Sequence, residues 1–361
     1  MGMESTQNKP LVLLITDFRG LIPQRIDACD GYDLDRIAVV LDRAGADVHV
    51  VGAHQLDFRA VRDREHVAAL YTSSQQPRYR QYLQDIVATL HFSGVHLFPA
   101  FVHMLAHEDK AVQAFRLGMT DIKVPRSVVF GNKQQAYEYL HTAAFPLVGK
   151  SVEGFASRGV RLIRNIHEGR RFVDQHMVDR VLRKGRSLPS RVIQRIVKPK
   201  PVLGILMFQE LIPDLTGDWK ILIWGDTACG LYRENRPADF RASGSGRFSF
   251  SDVPVPVLDF ARETLDALDL PWASLDIGYD GRECYLFEYQ AIHFGLTTAD
   301  KGLFYYVRGS DGVWKKRNGR VQIETEMATI MAESFRKWGW LPGPRPEEAV
   351  STSGHRGGNS A

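Results

Sequence analysis

Cysteine is scarce, with three in 361 residues at positions 29, 229 and 284. No two of them sit at metal-ligand spacing, so neither a disulfide scaffold nor a zinc ribbon is supported, and reduced thiols in a cytoplasmic protein are the expectation. Long hydrophobic runs are missing too. Nothing approaches the roughly 20 apolar residues of a membrane span, and the first apolar run, Leu11 to Ile15, is too short for the core of a secretory signal. No sign of charge dominates: 46 Lys and Arg stand against 42 Asp and Glu, a net of +4. There is no internal repeat. With 44% hydrophobic and 24% charged residues, the chain is neither wholly disordered nor fibrous. At about 150 residues per domain its length suits two or three domains.

The N-terminal segment reads as strands alternating with helices. Leu11 to Ile15 is a short buried-strand run ended by the turn-prone Thr16-Asp17-Phe18-Arg19-Gly20. Apolar residues at 34, 37, 38 and 41 predict a helix that Gly45 stops. Val48 to Val51 is a second strand, Tyr79 to Leu90 a helix, and Val95 to Phe98 a third strand closed by Pro99. Strands separated by helices imply a parallel sheet, and the first domain is placed at residues 1–105. Further on, Leu147 to Lys150 and Val160 to Ile163 read as strands, Glu168 to Arg183 as a helix, and Ile205 to Ile212 and Trp219 to Trp224 as strands. A helix follows over 257–268. Ala273 to Tyr279 and Glu283 to Tyr289 form a hairpin turned by Asp280-Gly281, and a last helix carries Met327 to Trp338. Residues 345–361, rich in Pro, Gly and Ser, read as a disordered tail.

Charge is unevenly spread. Between Arg158 and Lys200 lie ten Arg and three Lys against three acids. A solvated face is the default meaning of such a run. Nucleic-acid binding would explain its sign, but no helix-turn-helix, zinc-finger or RNP signature accompanies it, and nucleic acid is not the expected partner. A cationic layer facing a triphosphate needs less.

Three groups of residues could do chemistry. Lys150 ends an apolar strand and precedes Ser151 to Gly159, a loop with two glycines and two serines. Backbone N–H groups of such a loop can approach phosphate while the ammonium supplies charge. A lysine snorkelling from a strand end is the plainer alternative. Asp276 and Glu288 stand in apolar strand contexts, so the hairpin could turn both to one side, with Gln290 on the face of Glu288. That makes an oxygen-rich Mg²⁺ site with room for phosphates; a solvated hairpin face is its alternative. Arg233 and Arg241, beside the loop Ser243-Gly244-Ser245-Gly246, suit bidentate recognition of phosphate or carboxylate.

The order of these pieces, from about Glu108 to Gly295, resembles the ATP-grasp superfamily, and within it the ribosomal-S6-modification-like and D-alanine–D-alanine-ligase-like carboxylate–amine ligases. The resemblance implies an α/β (α+β) chain: an N-terminal parallel-sheet domain over 1–105, a linker and lid subdomain over 106–204 and a catalytic subdomain over 205–344. It implies ATP as cofactor with Mg²⁺, or Mn²⁺ in its place. Lys110 matches the first nucleotide lysine and Lys150 the second. Ser151, Gly154, Ser157 and Gly159 match the phosphate lid. Gln209, Glu210 and Ile212 match the adenine hinge, and Asp218-Trp219-Lys220 the acidic-x-basic start of the next strand. Arg233 and Arg241 match the arginines around the transferred phosphate. Asp276, Glu288 and Gln290 match the metal ligands, with Gln where the family has Asn. Lys220 replaces a commoner arginine, and the lid is poorer in glycine than is usual.

The resemblance implies an ADP-forming ligase that joins a small-molecule or peptide carboxylate to an amine, amino acids among them, through an acyl phosphate. His293 is a candidate for orienting the acceptor, with a packed loop histidine as its alternative. An ATP-grasp kinase acting on a hydroxyl and a non-catalytic ATP-binding protein are the competing expectations. No membrane partner is expected, and a homodimer is allowed.

Overall fold

The computed structural model describes residues 9–24, 31–152, 159–177 and 204–343. Cys29, Gly154, Ser157, most of the basic segment and the tail over 345–361 lie outside the described residues. The chain divides into two compact units. The first comprises Met1–Met104, Ile292–Thr297 and Val321–Ala361; the second comprises Leu105–Ala291 and Thr298–Arg320. No helix among the described residues is long and apolar enough to cross a membrane.

The first unit holds β1 (Leu11–Thr16), α1 (Leu34–Ala44), β2 (Asp47–Gly52), α2 (Phe58–Arg62), β3 (Val67–Tyr71), α3 (Pro77–Phe92), β4 (His96–Phe98) and α4 (Phe101–Ala106), whose last residues pass into the second unit. Asp33 caps α1 by accepting from the Arg36 N–H, and Gly45, at φ 105°, ends it in the left-handed region where glycine carries no Cβ penalty. The sheet is parallel with strand order β2-β1-β3-β4. β1 is buried along its whole length, as its unbroken run of apolar residues requires between helices on both faces. Leu13, Ile15, Ala69 and Tyr71 on one sheet face pack with Leu83, Ile86, Val87 and Leu90 of α3. The C-terminal helix Ile323–Lys337 returns to pack on α1, with Arg36 Nη1 donating to Gln322 Oε1 at 2.7 Å. The returning segment 292–297 is fixed by one buried amide: Gln24 donates through Nε2 to the Ile292 carbonyl at 2.8 Å and accepts from the Phe294 N–H at 3.0 Å.

The second unit contains two sheets. Its elements are α5 (Lys110–Leu117), β5 (Ser127–Phe130), α6 (Lys133–Thr142), β6 (Leu147–Ser151), β7 (Val160–Ile163), α7 (Ile166–His176), β8 (Leu206–Glu210), β9 (Gly217–Trp224), β10 (Thr227–Glu234), β11 (Phe248–Ser249), α8 (Val255–Leu268), β12 (Trp272–Tyr279), β13 (Cys284–Gln290), α9 (Thr297–Lys301), β14 (Phe304–Arg308) and β15 (Trp314–Asn318); α10 is the C-terminal helix of the first unit. The smaller sheet runs β5-β8-β6-β7 and buries Phe130, Leu147, Ile163, Leu206 and Phe208 against Leu140 of α6 and Phe172 of α7. The larger, seven-stranded sheet runs β13-β12-β9-β10-β14-β15, with β11 paired to β10. Ile221, Ile223, Ala273, Leu275 and Ile277 cover one of its faces and pack on Val257, Leu258, Ala261, Leu265 and Leu268 of α8. The period-two pleat therefore turns Asp218, Lys220, Ser274 and Asp276 to the other face.

Several elements depart from the sequence expectation, among them the unexpected strands β3 and β10. The helix expected over 168–183 begins at Ile166 and is described only to His176. The strand expected over 205–212 stops pairing at Glu210. Strands β14 and β15, and the pair β5 and α6, carry no clear apolar period and were not expected. The Gln24 clamp gives a test of the first unit. Gln24→Glu replaces a donor with a carboxylate oxygen facing the Ile292 carbonyl, and should lower the protection of β1 and β3 amides in hydrogen exchange by at least about 2 kcal/mol. Unchanged protection would show that the returning segment is held elsewhere.

Candidate functional site

The candidate site is built on the face of the large sheet that α8 leaves open. Asp276 on β12 pairs directly with Glu288 on β13 and with Lys220 on β9. Asp218 on β9 pairs with Arg233 on β10. Glu288 reaches this face through a bulge: the register shifts between Asp276 and Ile277, so Ile277 pairs with Leu286 and Phe287 is the extra residue. Leu286 consequently points into the core while Glu288, two residues on, points out. Gly278 makes room for the bulge, since a Cβ there would lie 2.5 Å from the Phe287 ring.

The acids are not isolated. Arg233 donates through Nε and Nη2 to Asp218 at 2.6 and 2.8 Å, and its Nη2 lies 2.8 Å from Asp276 Oδ2. Lys220 donates to Ser274 Oγ at 2.7 Å and stands 3.7 Å from Asp276 Oδ1. Gln290 Nε2 donates to Glu288 Oε1 at 3.1 Å. Burial pushes the Asp218 carboxyl up to about 6, against the pull of Arg233 and with added repulsion from Asp276. Burial also opposes ionisation of Asp276, yet Arg233 and Lys220 outweigh it and hold that carboxyl below its usual range. Burial lowers the Lys220 ammonium, with Asp276 resisting. Arg233 is held charged: burial opposes its charge, and Asp276 and Asp218 together overcome it. A guanidinium between two acids is thus the centre of the open face, and its planar fork suits that bridging.

Lys150 comes from the smaller sheet. It pairs with Met207, and Val148 pairs with Gln209, so all four lie on the face opposite the Phe172 and Phe208 core. Gln209 donates to Ser127 Oγ at 2.9 Å on the same face. Glu210, by the same alternation, leaves the strand on the other face and is exposed, while Ile212 lies past the strand end and is half-buried. Burial pulls the Lys150 ammonium down to about 8; Glu288 and Asp276 act to raise it and Lys110 to lower it further. Lys150, Lys110, Glu288 and Asp276 therefore share one electrostatic neighbourhood. Lys110 opens α5 behind Asp109, whose carboxylate accepts from the Ala111 and Val112 N–H groups. The Lys110 N–H donates to the Val152 carbonyl at 3.2 Å, and Gln113 accepts from the Tyr289 N–H at 3.4 Å. Helix α5 thus ties the end of β6 to the strand bearing Glu288.

Ser151 donates its N–H to the Gly159 carbonyl at 3.0 Å. Gly159 has φ 79°, and a Cβ there would come within 2.2 Å of Ser151 Oγ, so only glycine fits. Arg241 is engaged by Asp239, Nε donating at 2.9 Å, and donates through Nη1 to the Val160 carbonyl at 3.2 Å beside the smaller sheet. His293 belongs to the first unit. The structure accordingly gathers Lys110, Lys150, Asp218, Arg233, Asp276, Glu288 and Gln290. The ionic bridge through Arg233 was not read from the sequence; its signal was the alternation of Asp218 with Lys220 and of Arg233 with Leu231 on neighbouring strands.

No group of three or more His, Cys, Asp or Glu side chains with metal-holding geometry occurs among the described residues. The donor set still fits Mg²⁺ accompanied by phosphates. Two carboxylates and an amide oxygen on one hairpin face are hard ligands, and Mg²⁺ commonly takes one or two carboxylates and completes its shell with phosphate and water.

The bridge gives a stability prediction. Arg233→Gln strands the buried Asp218 and the half-buried Asp276 and should lower the unfolding free energy by about 3 kcal/mol at pH 7. Without the cation both acids have folded pKa values above their unfolded ones, so their ionisation removes stability as pH rises and the loss should shrink at pH 5. Urea unfolding at the two pH values measures this, and an equal loss at both would contradict it.

No protein-family model matches the sequence, and no curated protein matches it. Solved structures do match in fold. D-cycloserine synthetase DcsG superposes with a TM-score of 0.53 at 14% identity, covering 90% of this chain and 99% of that one. D-alanine–D-alanine ligase from Bacillus anthracis gives 0.52 at 13%, covering 91% and 99%. A RiPP-associated ATP-grasp ligase from Chryseobacterium gregarium, solved with ADP and a leader and core peptide, gives 0.51 at 12%, covering 93% and 98%. At such identities the likeness is one of fold.

Proposed function

The chain has the ATP-grasp fold, and on that premise we propose that it is an ATP-dependent carboxylate–amine ligase that forms ADP through an acyl phosphate. The observation that carries this reading is the meeting of Lys150 and Lys110 with Asp276 and Glu288, cations from one side and acids from the other. A triphosphate with Mg²⁺ satisfies both sets at once. Structures of similar fold described as ligases agree with it.

In this reading Lys150 and Lys110 neutralise the phosphate oxygens, where a low dielectric makes them effective. Asp276, Glu288 and Gln290 would hold Mg²⁺, which would supply charge neutralisation for the phosphate oxygens. Arg233 is a positioning residue: its fork keeps Asp276 ionised and aimed. Arg241 and the Gly159 end of the lid loop lie together at Val160, where Arg241 can meet the transferred phosphoryl group. Gln209 lies on the nucleotide face of the smaller sheet. The substrate carboxylate oxygen attacks the γ-phosphorus and the bond to ADP breaks. The acceptor nitrogen then attacks the acyl carbon, phosphate leaves with the C–O electron pair, and the nitrogen gives up a proton to leave an amide.

Glu288→Gln keeps size and hydrogen bonding but removes one charge. It should cut Mg²⁺-dependent ADP formation in the presence of amino-acid or peptide acceptors by at least about 100-fold, the scale of a lost transition-state electrostatic contact. Near-normal turnover would reject the assignment. Release of ADP with transfer of phosphate to a hydroxyl, and no amide, would give a kinase instead.

Lys150 supplies an independent check. Its ammonium sits near pKa 8 without nucleotide, and bound phosphates would raise it. At pH 8.5, ATP binding should therefore take up roughly three quarters of a proton, seen by calorimetry in buffers of different ionisation enthalpy. The uptake should vanish in Lys150→Met.

A further inference from the structure

Strand β15 closes one end of the large sheet, and among the described residues no strand pairs with its outer edge. The hairpin hydrogen bonds fix which backbone groups that edge presents. Gly309 donates its N–H to the Val313 carbonyl at 2.9 Å, and Gly319 donates to the Leu303 carbonyl at 2.8 Å. Bonded and unbonded pairs alternate along an antiparallel ladder. Lys315 and Arg317 therefore turn their N–H and C=O groups to β14, while Trp314, Lys316 and Asn318 turn theirs outward. The five β14–β15 pairs keep one register, and neither strand contains a bulge or a proline. Such an edge is a template for one more strand.

The side chains decide which strand. Pleat alternation puts Trp314 and Lys316 on the α8 side of the sheet. There the Trp314 indole donates to Asp259 Oδ1 at 2.8 Å, and Lys316 pairs with Asp252 and lies 3.8 Å from the centre of the Phe304 ring. Lys315 and Arg317 stand on the other side. Arg317 makes no ion pair among the described residues, and Lys315 meets the turn residue Asp311 at 3.4 Å, with both side chains more than half exposed. A pair so exposed is weak and open to exchange. Residues 298–320 hold six Lys and Arg against two Asp, an excess equal to that of the whole chain.

Cations on an edge also have a defensive meaning, because like charges set opposite one another repel. That repulsion works against a second copy of the chain, since two β15 edges laid together would set Lys and Arg against Lys and Arg. It favours a strand of opposite sign. The edge is also held ready for one. The Arg308 N–H donates to the Asp226 carbonyl at 2.8 Å, and the Tyr306 hydroxyl accepts from the Val253 N–H at 3.0 Å, which fixes β14. Four of the five β15 residues are exposed. Only the incoming segment then has to be ordered on binding.

We propose that β15 is a docking edge for an acidic peptide, which joins the large sheet as an extended strand with acids two residues apart beside Lys315 and Arg317. The surface is made by β14 and β15, so the proposal goes beyond the ligase reading and does not depend on it.

The test uses the full chain without nucleotide and a heptapeptide of alternating glutamate and valine, followed by residue-resolved amide hydrogen exchange. On binding, the Trp314, Lys316 and Asn318 amides should gain protection, while those of Lys315 and Arg317, already bonded to β14, stay as they were. That alternation distinguishes an added strand from loose attraction between opposite charges. Reversing both charges, Lys315→Glu with Arg317→Glu, should weaken binding by at least about tenfold and admit a heptapeptide of alternating lysine and valine instead. Asn318→Pro removes one outward N–H and obstructs the edge with the charges intact, and should weaken binding by a similar factor. Absence of protection at the three outward amides, binding that survives the charge reversal, or an oligonucleotide that displaces the peptide would each overturn the proposal. Self-association of the chain along β15 in place of peptide capture would overturn it as well.

Discussion

The second unit depends on a guanidinium held between two carboxylates, the buried Asp218 and the half-buried Asp276. Arg233 joins Asp218 to Asp276 across three strands, β10, β9 and β12, which are neighbours in the sheet. Had either acid been alone, burial would have neutralised it. With Arg233 in place Asp276 remains ionised, and its partner strand can present Glu288 directly opposite. The apolar face under α8 gives these strands their register, because a slip of one residue would bury the charges and expose Ile221 and Leu275. Core and site are therefore two faces of a single constraint.

That constraint explains why the cluster is built with imbalance. Asp218 is pushed up and Lys150 pulled down, both by burial. Groups whose charge is costly in the free protein recover it when an opposite charge arrives. Lys150 and Asp218 each carry a charge that burial makes costly, and groups perturbed in this way cluster at functional sites.

Much of the frame was legible in the sequence because it rests on local rules. The 34, 37, 38, 41 spacing closed by Gly45 is α1, and Asp280-Gly281 does turn the hairpin that carries Asp276 and Glu288. What was not legible is non-local. Nothing near Arg233 in the chain announces that it will lie between Asp218 and Asp276. The bulge at Phe287, which decides where Glu288 points, depends on the absence of a side chain at Gly278 in the neighbouring strand. Glu210 looked like a nucleotide contact by its place in the order of motifs, but strand alternation sends it to the face away from Lys150. Gly154 and Ser157 of the lid lie outside the described residues.

The approach of Gly159 to Ser151 shows how backbone geometry and side-chain placement share one requirement. Gly159 must be glycine because of its positive φ and because Ser151 Oγ occupies the space a Cβ would take. The same close approach sets the Ser151 N–H on the Gly159 carbonyl and brings Val160 alongside the Arg241 guanidinium. A bulkier residue would open that neck and move Arg241 away from β7, the strand paired with Lys150.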